Sequence, residues 1–159
     1  MRSMTRGILF LTLVALSAPL AAPASASEPN ADSGKKSGGA FGVNAGIATG
    51  DDGIGLGWLV GANYTLAHRF GPVRLRADAT FQDHGSDLSI FGLAANAVIP
   101  IRRIYGVAGL GWYDEDSNGS DIAITLGAGI RRARGMYFEA RWVDIGGFTT
   151  FPIVVGLTF

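Results

Sequence analysis

Eight short runs of alternating side chains fill the sequence from Ala40 to Phe159, each cut from the next by a few turn-forming residues. In order they read AFGVNAGIA, GLGWLVGANYTL, VRLRADATFQ, LSIFGLAANAVI, IYGVAGLGWY, DIAITLGAGI, MYFEARWVDI and FTTFPIVVGLTF. Alternation at a period of two marks a β-strand whose faces meet different surroundings. No run repeats at a helical period, and 24 glycines count against long helices. Runs of this length cross a bilayer as tilted strands of about 9–11 residues. An even number of strands on short links makes a meander, and closing it removes both edges. The predicted fold is all-β, an eight-stranded antiparallel up-and-down transmembrane β-barrel over residues 40–159.

The distribution of side chains decides between water and lipid outside such a barrel. In the third run Arg74, Arg76, Asp78, Thr80 and Gln82 share one face, and Val73, Leu75, Ala77, Ala79 and Phe81 the other. In the seventh, Tyr137, Glu139 and Arg141 oppose Met136, Phe138, Ala140 and Trp142. In the sixth, Ile122, Ile124, Leu126, Ala128 and Ile130 oppose Ala123, Thr125, Gly127 and Gly129. The broad apolar face is continuous from run to run, while the polar face is small and charged on only two runs. Small residues suit the narrow lumen of an eight-stranded barrel, so the apolar face is predicted to meet lipid. A charged fraction of 16%, against about 25% in ordinary soluble chains, agrees with this.

Charge in the links alternates in sign. They read TGDDGIG, AHRFGP, DHGSD, PIRR, DEDSNGSD, RRARG and GG. In a meander, alternate links share an end. One mouth then collects Asp51, Asp52, Asp83, Asp87, Asp114, Glu115, Asp116 and Asp121, and the other His68, Arg69, Arg102, Arg103, Arg131, Arg132 and Arg134. Both termini lie at the basic end. A chain inserted from the periplasm leaves its termini there, which predicts a basic periplasmic mouth and an acidic outer one.

The N-terminus is of another kind. MRSMTR carries two arginines, GILFLTLVALSA is apolar, and Ala24-Ser25-Ala26 offers small residues for cleavage. Residues 1–26 are predicted to be a signal peptide and 27–39 a flexible periplasmic segment before the barrel at 40–159. Cleavage after Ala26 leaves 11 basic and 13 acidic side chains, a net charge of −2, which implies no nucleic-acid partner. The absence of cysteine excludes disulfides and a lipid-modified N-terminal cysteine.

The signal peptide, the alternating runs and the closing Phe151-x-Ile153-x-Val155-x-Leu157-x-Phe159 resemble the small eight-stranded outer-membrane proteins of Gram-negative bacteria, the OmpA/OmpX-like barrel group. The resemblance implies an outer-membrane location. It also implies that Phe151, Ile153, Val155, Leu157 and Phe159 are the assembly signal read by the barrel-assembly machinery. Trp58, Tyr64, Phe70, Trp112, Tyr113, Trp142 and Phe159 fall toward strand ends, where aromatic rings meet lipid headgroups.

Three groups of residues could carry chemistry. Arg74, Arg76, Asp78, Glu139 and Arg141 are predicted to pair inside the lumen, because a buried charge without a partner is costly. In an eight-stranded barrel they fill the interior rather than line a channel. Asp114-x-Asp116-x-Asn118-Gly119 matches the start of a calcium loop, and Asp121 could complete a weak calcium or magnesium site. The twelfth position of a full loop is Thr125 rather than glutamate and the flanking elements are strands, so an EF-hand is excluded. His84-Gly85-Ser86 has the His-x-Ser spacing of outer-membrane lipid A deacylases, but Leu88 to Ile99 holds no glutamate to orient the histidine. A solvated turn is the expectation there.

No catalytic residue and no required cofactor are predicted. The expected function is structural: an envelope barrel with a plugged lumen and outer-membrane lipid and lipopolysaccharide as surroundings. The alternatives are a surface binding protein, adhesin-like or holding divalent cations and lipopolysaccharide, and a lipid A-modifying hydrolase. The short outer links argue against a large docking surface.

Overall fold

The computed structural model describes residues 38–51, 54–85, 88–116 and 119–159. The signal peptide and most of the segment to residue 39 lie outside them, as do Asp52, Ser86, Asp87 and Asn118. The strands are β1 (Ala40–Gly50), β2 (Gly57–Phe70), β3 (Val73–Asp83), β4 (Ser89–Ile101), β5 (Ile104–Glu115), β6 (Gly119–Arg131), β7 (Met136–Ile145) and β8 (Phe148–Thr158). All neighbours are antiparallel in sequence order, and β1 pairs with β8 to close the barrel. The backbone N–H of Phe159 donates to the Phe41 carbonyl at 2.7 Å, so the last residue is held to the first strand.

Strand limits follow local chemistry. β2 runs on through Ala67–Phe70, read above as part of a link, because Arg69 and Phe70 pair with Arg74 and Val73 across Gly71–Pro72. Gly71 turns the chain at φ +61°, where a side chain is unfavourable. The ladder shifts register between Thr65 and Arg69, a bulge near the barrel rim. β4 and β5 pair without interruption from Ile90↔Glu115 to Ile101↔Ile104. The β7–β8 pairing breaks between Ala140↔Ile153 and Val143↔Thr150, beside Pro152, which has no N–H to give.

The two faces differ as alternation demands. Outside, Leu110, Ile122 and Ile153 are 61%, 69% and 56% exposed, among large apolar side chains drawn from all eight strands. Inside, Ile90, Ala123, Val143 and Ile145 pack round Tyr113 near the acidic end, with Leu88 and Phe148 against them. Tyr113 was expected among the interfacial aromatics; it is buried in the lumen instead, because it alternates with outward Trp112. Trp58, Tyr64, Phe70, Trp112 and Phe159 are exposed on the outer face.

Each inward tyrosine lies opposite a glycine of an adjacent strand. The pairs are Tyr113↔Gly92, Tyr105↔Gly129 and Tyr137↔Gly156. A Cβ built at any of these glycines would collide with the facing ring. The glycine leaves a trough in the sheet and the tyrosine covers it, the same device by which aromatic rings shield strand glycines elsewhere.

Candidate functional site

The lumen is built from side chains of alternate residues on all eight strands. Arg76 and Asp78 on β3 and Glu139 and Arg141 on β7 form a closed ring of alternating charge. Arg76 Nη1 and Nη2 donate to Glu139 Oε2 and Oε1, both at 2.8 Å. Arg76 Nε lies 3.0 Å from Asp78 Oδ1, and Arg141 Nη1 lies 3.3 Å from Asp78 Oδ2. Arg141 Nε donates to Glu139 Oε1 to complete the ring. Two positive and two negative charges cancel, so no net charge is buried, and the bidentate Arg76 contact is the strong kind of ion pair.

Neutral donors add hydrogen bonds to the ring and beside it. Tyr105 donates its hydroxyl to Glu139 Oε2 at 2.7 Å, and Asn96 Nδ2 donates to Asp78 Oδ2. Asn63 and Asn44 donate to the Tyr137 hydroxyl at 2.7 Å and 3.1 Å. These five residues were missing from the sequence-derived network. The available signal was parity: each sits on its strand's small-residue face.

Arg74 takes no part in the ring, contrary to expectation. It lies one pleat closer to the basic mouth, opposite Arg69 on β2 and Val98 on β4. Its Nε is buried without a hydrogen-bond partner.

Above the ring, Asn44, Thr80, Gln82, Tyr113, Arg141 and Val143 help line a cavity of about 10 Å³. That is the lower bound for a single water. The ring, this tight space and the apolar cluster around Tyr113 fill the interior in succession.

Of the candidate cation ligands, Asp114 and Asp121 lie on opposite faces of the sheet. Asp114 alternates with Tyr113 and shares the outer face of β5, whereas Asp121 lies opposite Tyr113 in register and shares its inner face. Asp121 Oδ1 accepts from the Ile122 N–H at 2.7 Å. Among the described residues, no three His, Asp or Glu side chains are gathered as a metal would need; Asn118 lies outside those residues.

His84 is not in a solvated turn. It is buried, with Nδ1 2.9 Å from the Gly55 carbonyl oxygen and Nε2 3.4 Å from Gln82 Oε1. A carbonyl only accepts, so Nδ1 carries a proton and donates. The turn holds the ring there: Asp83 Oδ1 accepts from the Gly85 N–H at 2.8 Å, and Gly85 takes φ +70°. His68 belongs to β2 rather than a turn, with its ring edge-on to Phe70 at 4.8 Å.

Among the described residues, every charged side chain outside the ring lies toward one mouth according to its sign. Asp51, Asp83, Asp114, Glu115, Asp116, Asp121 and Asp144 lie toward one, and Arg69, Arg74, Arg102, Arg103, Arg131, Arg132 and Arg134 toward the other. At the acidic mouth Asp51 joins β1 to β8, accepting from the Thr149 N–H at 2.6 Å.

No protein-family model and no curated protein matches the sequence. Solved structures do match the fold. A de novo designed transmembrane β-barrel is similar at a TM-score of 0.59 with 11% identity, over 79% of this chain and 98% of that one. Neisserial surface protein A is similar at 0.59 with 14% identity, over 77% and 96%. The outer membrane enzyme PagL is similar at 0.58 with 15% identity, over 73% and 98%. The chain therefore has the eight-stranded transmembrane barrel fold, which these proteins put to different uses.

Proposed function

We propose that this protein is an integral outer-membrane barrel with a closed lumen and a structural, non-catalytic role in the cell envelope. The observation that carries the reading is the inversion of its faces. Ionic and amide side chains are buried inside, while isoleucine, leucine, valine and aromatic side chains cover the outside. In water such a surface is an aggregation liability; in a bilayer it matches its solvent. The filled interior supports a strut rather than a pore. Outer-membrane lipid and lipopolysaccharide are then its surroundings, and the barrel-assembly machinery its partner during insertion.

The short connections at the acidic mouth favour this role over that of a surface binding protein. The links are residues 51–56, 84–88, 116–118 and 146–147, too little surface for a protein partner of ordinary size. A hydrolase on the outer wall needs an outward-facing base, and the His84 imidazole is turned inward onto Gly55.

The test has two parts. Electrophoresis of the detergent-folded protein with and without boiling, alongside membrane fractionation, is expected to give a heat-dependent shift and outer-membrane recovery. Overexpression of the parent and of Ser86→Ala is expected to leave lipid A acylation identical. Recovery in the soluble periplasm would overturn the location, and acyl-chain loss abolished by Ser86→Ala would overturn the non-catalytic role.

A further inference from the structure

The ring engages Asp78 and Glu139 with Arg76 and Arg141, and the other inward carboxylates, Glu115 and Asp121, lie at the opposite, acidic mouth. Three more arginines lie on the inner face below it. Arg69 and Arg74 are directly opposite each other in register and so share the inward face. Arg131 alternates with inward Gly129 and Gly127 on β6, and its guanidinium carbon lies 5.0 Å from the centre of the Tyr105 ring. The charges of Arg69 and Arg131 both act on Arg74. Among the described residues, none of the three makes an ion pair.

Like charges placed opposite one another across a strand pair are unfavourable, and here a third joins them. Two of the three have defined surroundings. Tyr105 is fixed by its hydrogen bond to Glu139 and gives Arg131 a flat ring to lie on. Arg74 keeps a buried, unspent Nε donor. Guanidinium groups present forked donors that match tetrahedral oxyanions, and three of them balance a doubly charged one with charge to spare.

We propose that Arg69, Arg74 and Arg131 form a phosphate-binding site in the basic mouth of the barrel. The ligand is a phosphate group, carried either by an anionic phospholipid headgroup of the adjoining leaflet or by a small soluble phosphate. The inference requires the folded barrel but not the structural role proposed above.

The experiment uses the mature barrel folded in non-ionic micelles at low salt, with inorganic phosphate titrated in a calorimeter. Saturable binding is expected, at least tenfold weaker in the Arg74→Gln/Arg131→Gln variant. The control, Arg103→Gln/Arg132→Gln, removes the same charge from the turns of the same mouth and is expected to bind within threefold of the parent. Heat-dependent mobility checks the fold of each variant, and Arg69→Gln, at an exposed position, replaces the inner pair should that pair fail to fold. A second arm asks by native mass spectrometry whether phosphatidylglycerol stays bound when the barrel leaves mixed nanodiscs. Retention that is lost in the inner variant identifies a headgroup; saturable inorganic phosphate without lipid retention identifies a soluble ligand, and both support the site. Absence of saturable phosphate binding overturns the proposal, as does equal loss in the inner and control variants.

Discussion

Arg76 on β3 grips Glu139 on β7 with both guanidinium prongs at 2.8 Å, straight across the barrel lumen. The contact joins strands that are four apart in the barrel order, and it sits where neither side chain reaches solvent. Its stability consequence is asymmetric. Removing one partner leaves a buried charge, whereas removing both leaves Asp78 and Arg141 as a neutral pair.

Glu139→Gln is therefore expected to lower the unfolding free energy, measured by reversible urea titration in micelles, by about 3–5 kcal/mol. The Arg76→Met/Glu139→Met double variant is expected to lose less than Glu139→Gln alone. A double variant whose loss equals the sum of the two single losses would show that the ring is not a coupled unit.

The tyrosine–glycine pairs make a second stability prediction. At Gly129 an added Cβ meets the Tyr105 ring, while at Gly106, on the outer face of β5, it meets open space. Gly129→Ala is expected to cost about 1–3 kcal/mol through overpacking. Gly106→Ala should change stability by no more than about 0.5 kcal/mol. Equal effects in the same urea titration would sink the covering role of the tyrosine.

Successive filling of the lumen by the ionic ring and the Tyr113 cluster predicts no conducting path. Planar-bilayer recordings of the purified barrel are expected to show no discrete conductance steps in about 1 M potassium chloride, where long-range electrostatic effects are screened out. Reproducible steps of constant size would contradict the closed interior.

Asp114 and Asp121 lie on opposite faces of paired strands, so they cannot close on one ion without breaking register. Calorimetric titration with calcium or magnesium is expected to show no saturable heat at low millimolar concentration, a range that weak extracellular calcium modules reach at about 10⁻⁴–10⁻³ M. Saturable heat abolished by Asp114→Asn would restore the acidic link as a cation site.

How much of this was legible before the fold was known depends on period. Alternation at two residues exposed all eight strands, and it separated Arg76 and Asp78 from Leu75 and Ala77 without any knowledge of partners. It also forecast the sorting of charge between the mouths, since that needs only the order of links. Register was not legible. The sequence does not show that Tyr105 faces Gly129, or that Arg69 faces Arg74 beyond a bulge, because both depend on how far each strand slides along its neighbour. Tyr113 was misplaced for a different reason: proximity to a strand end outweighed the parity that pairs it with the interior. His84 was taken for a solvated residue because its short link hides an imidazole that folds back onto Gly55.

The central claim is that the apolar face meets lipid, and β6 tests it most directly. The chain has no cysteine, so single cysteines at positions 122 to 126 can each carry a nitroxide label without interference. In reconstituted bilayers, labels at Ile122, Ile124 and Leu126 are expected to relax strongly with oxygen, which partitions into lipid, and weakly with a water-soluble nickel chelate. Labels at Ala123 and Thr125, buried in the lumen, should respond weakly to both. Strong, uniform response of the outward positions to the nickel chelate would place this face in water and contradict the account.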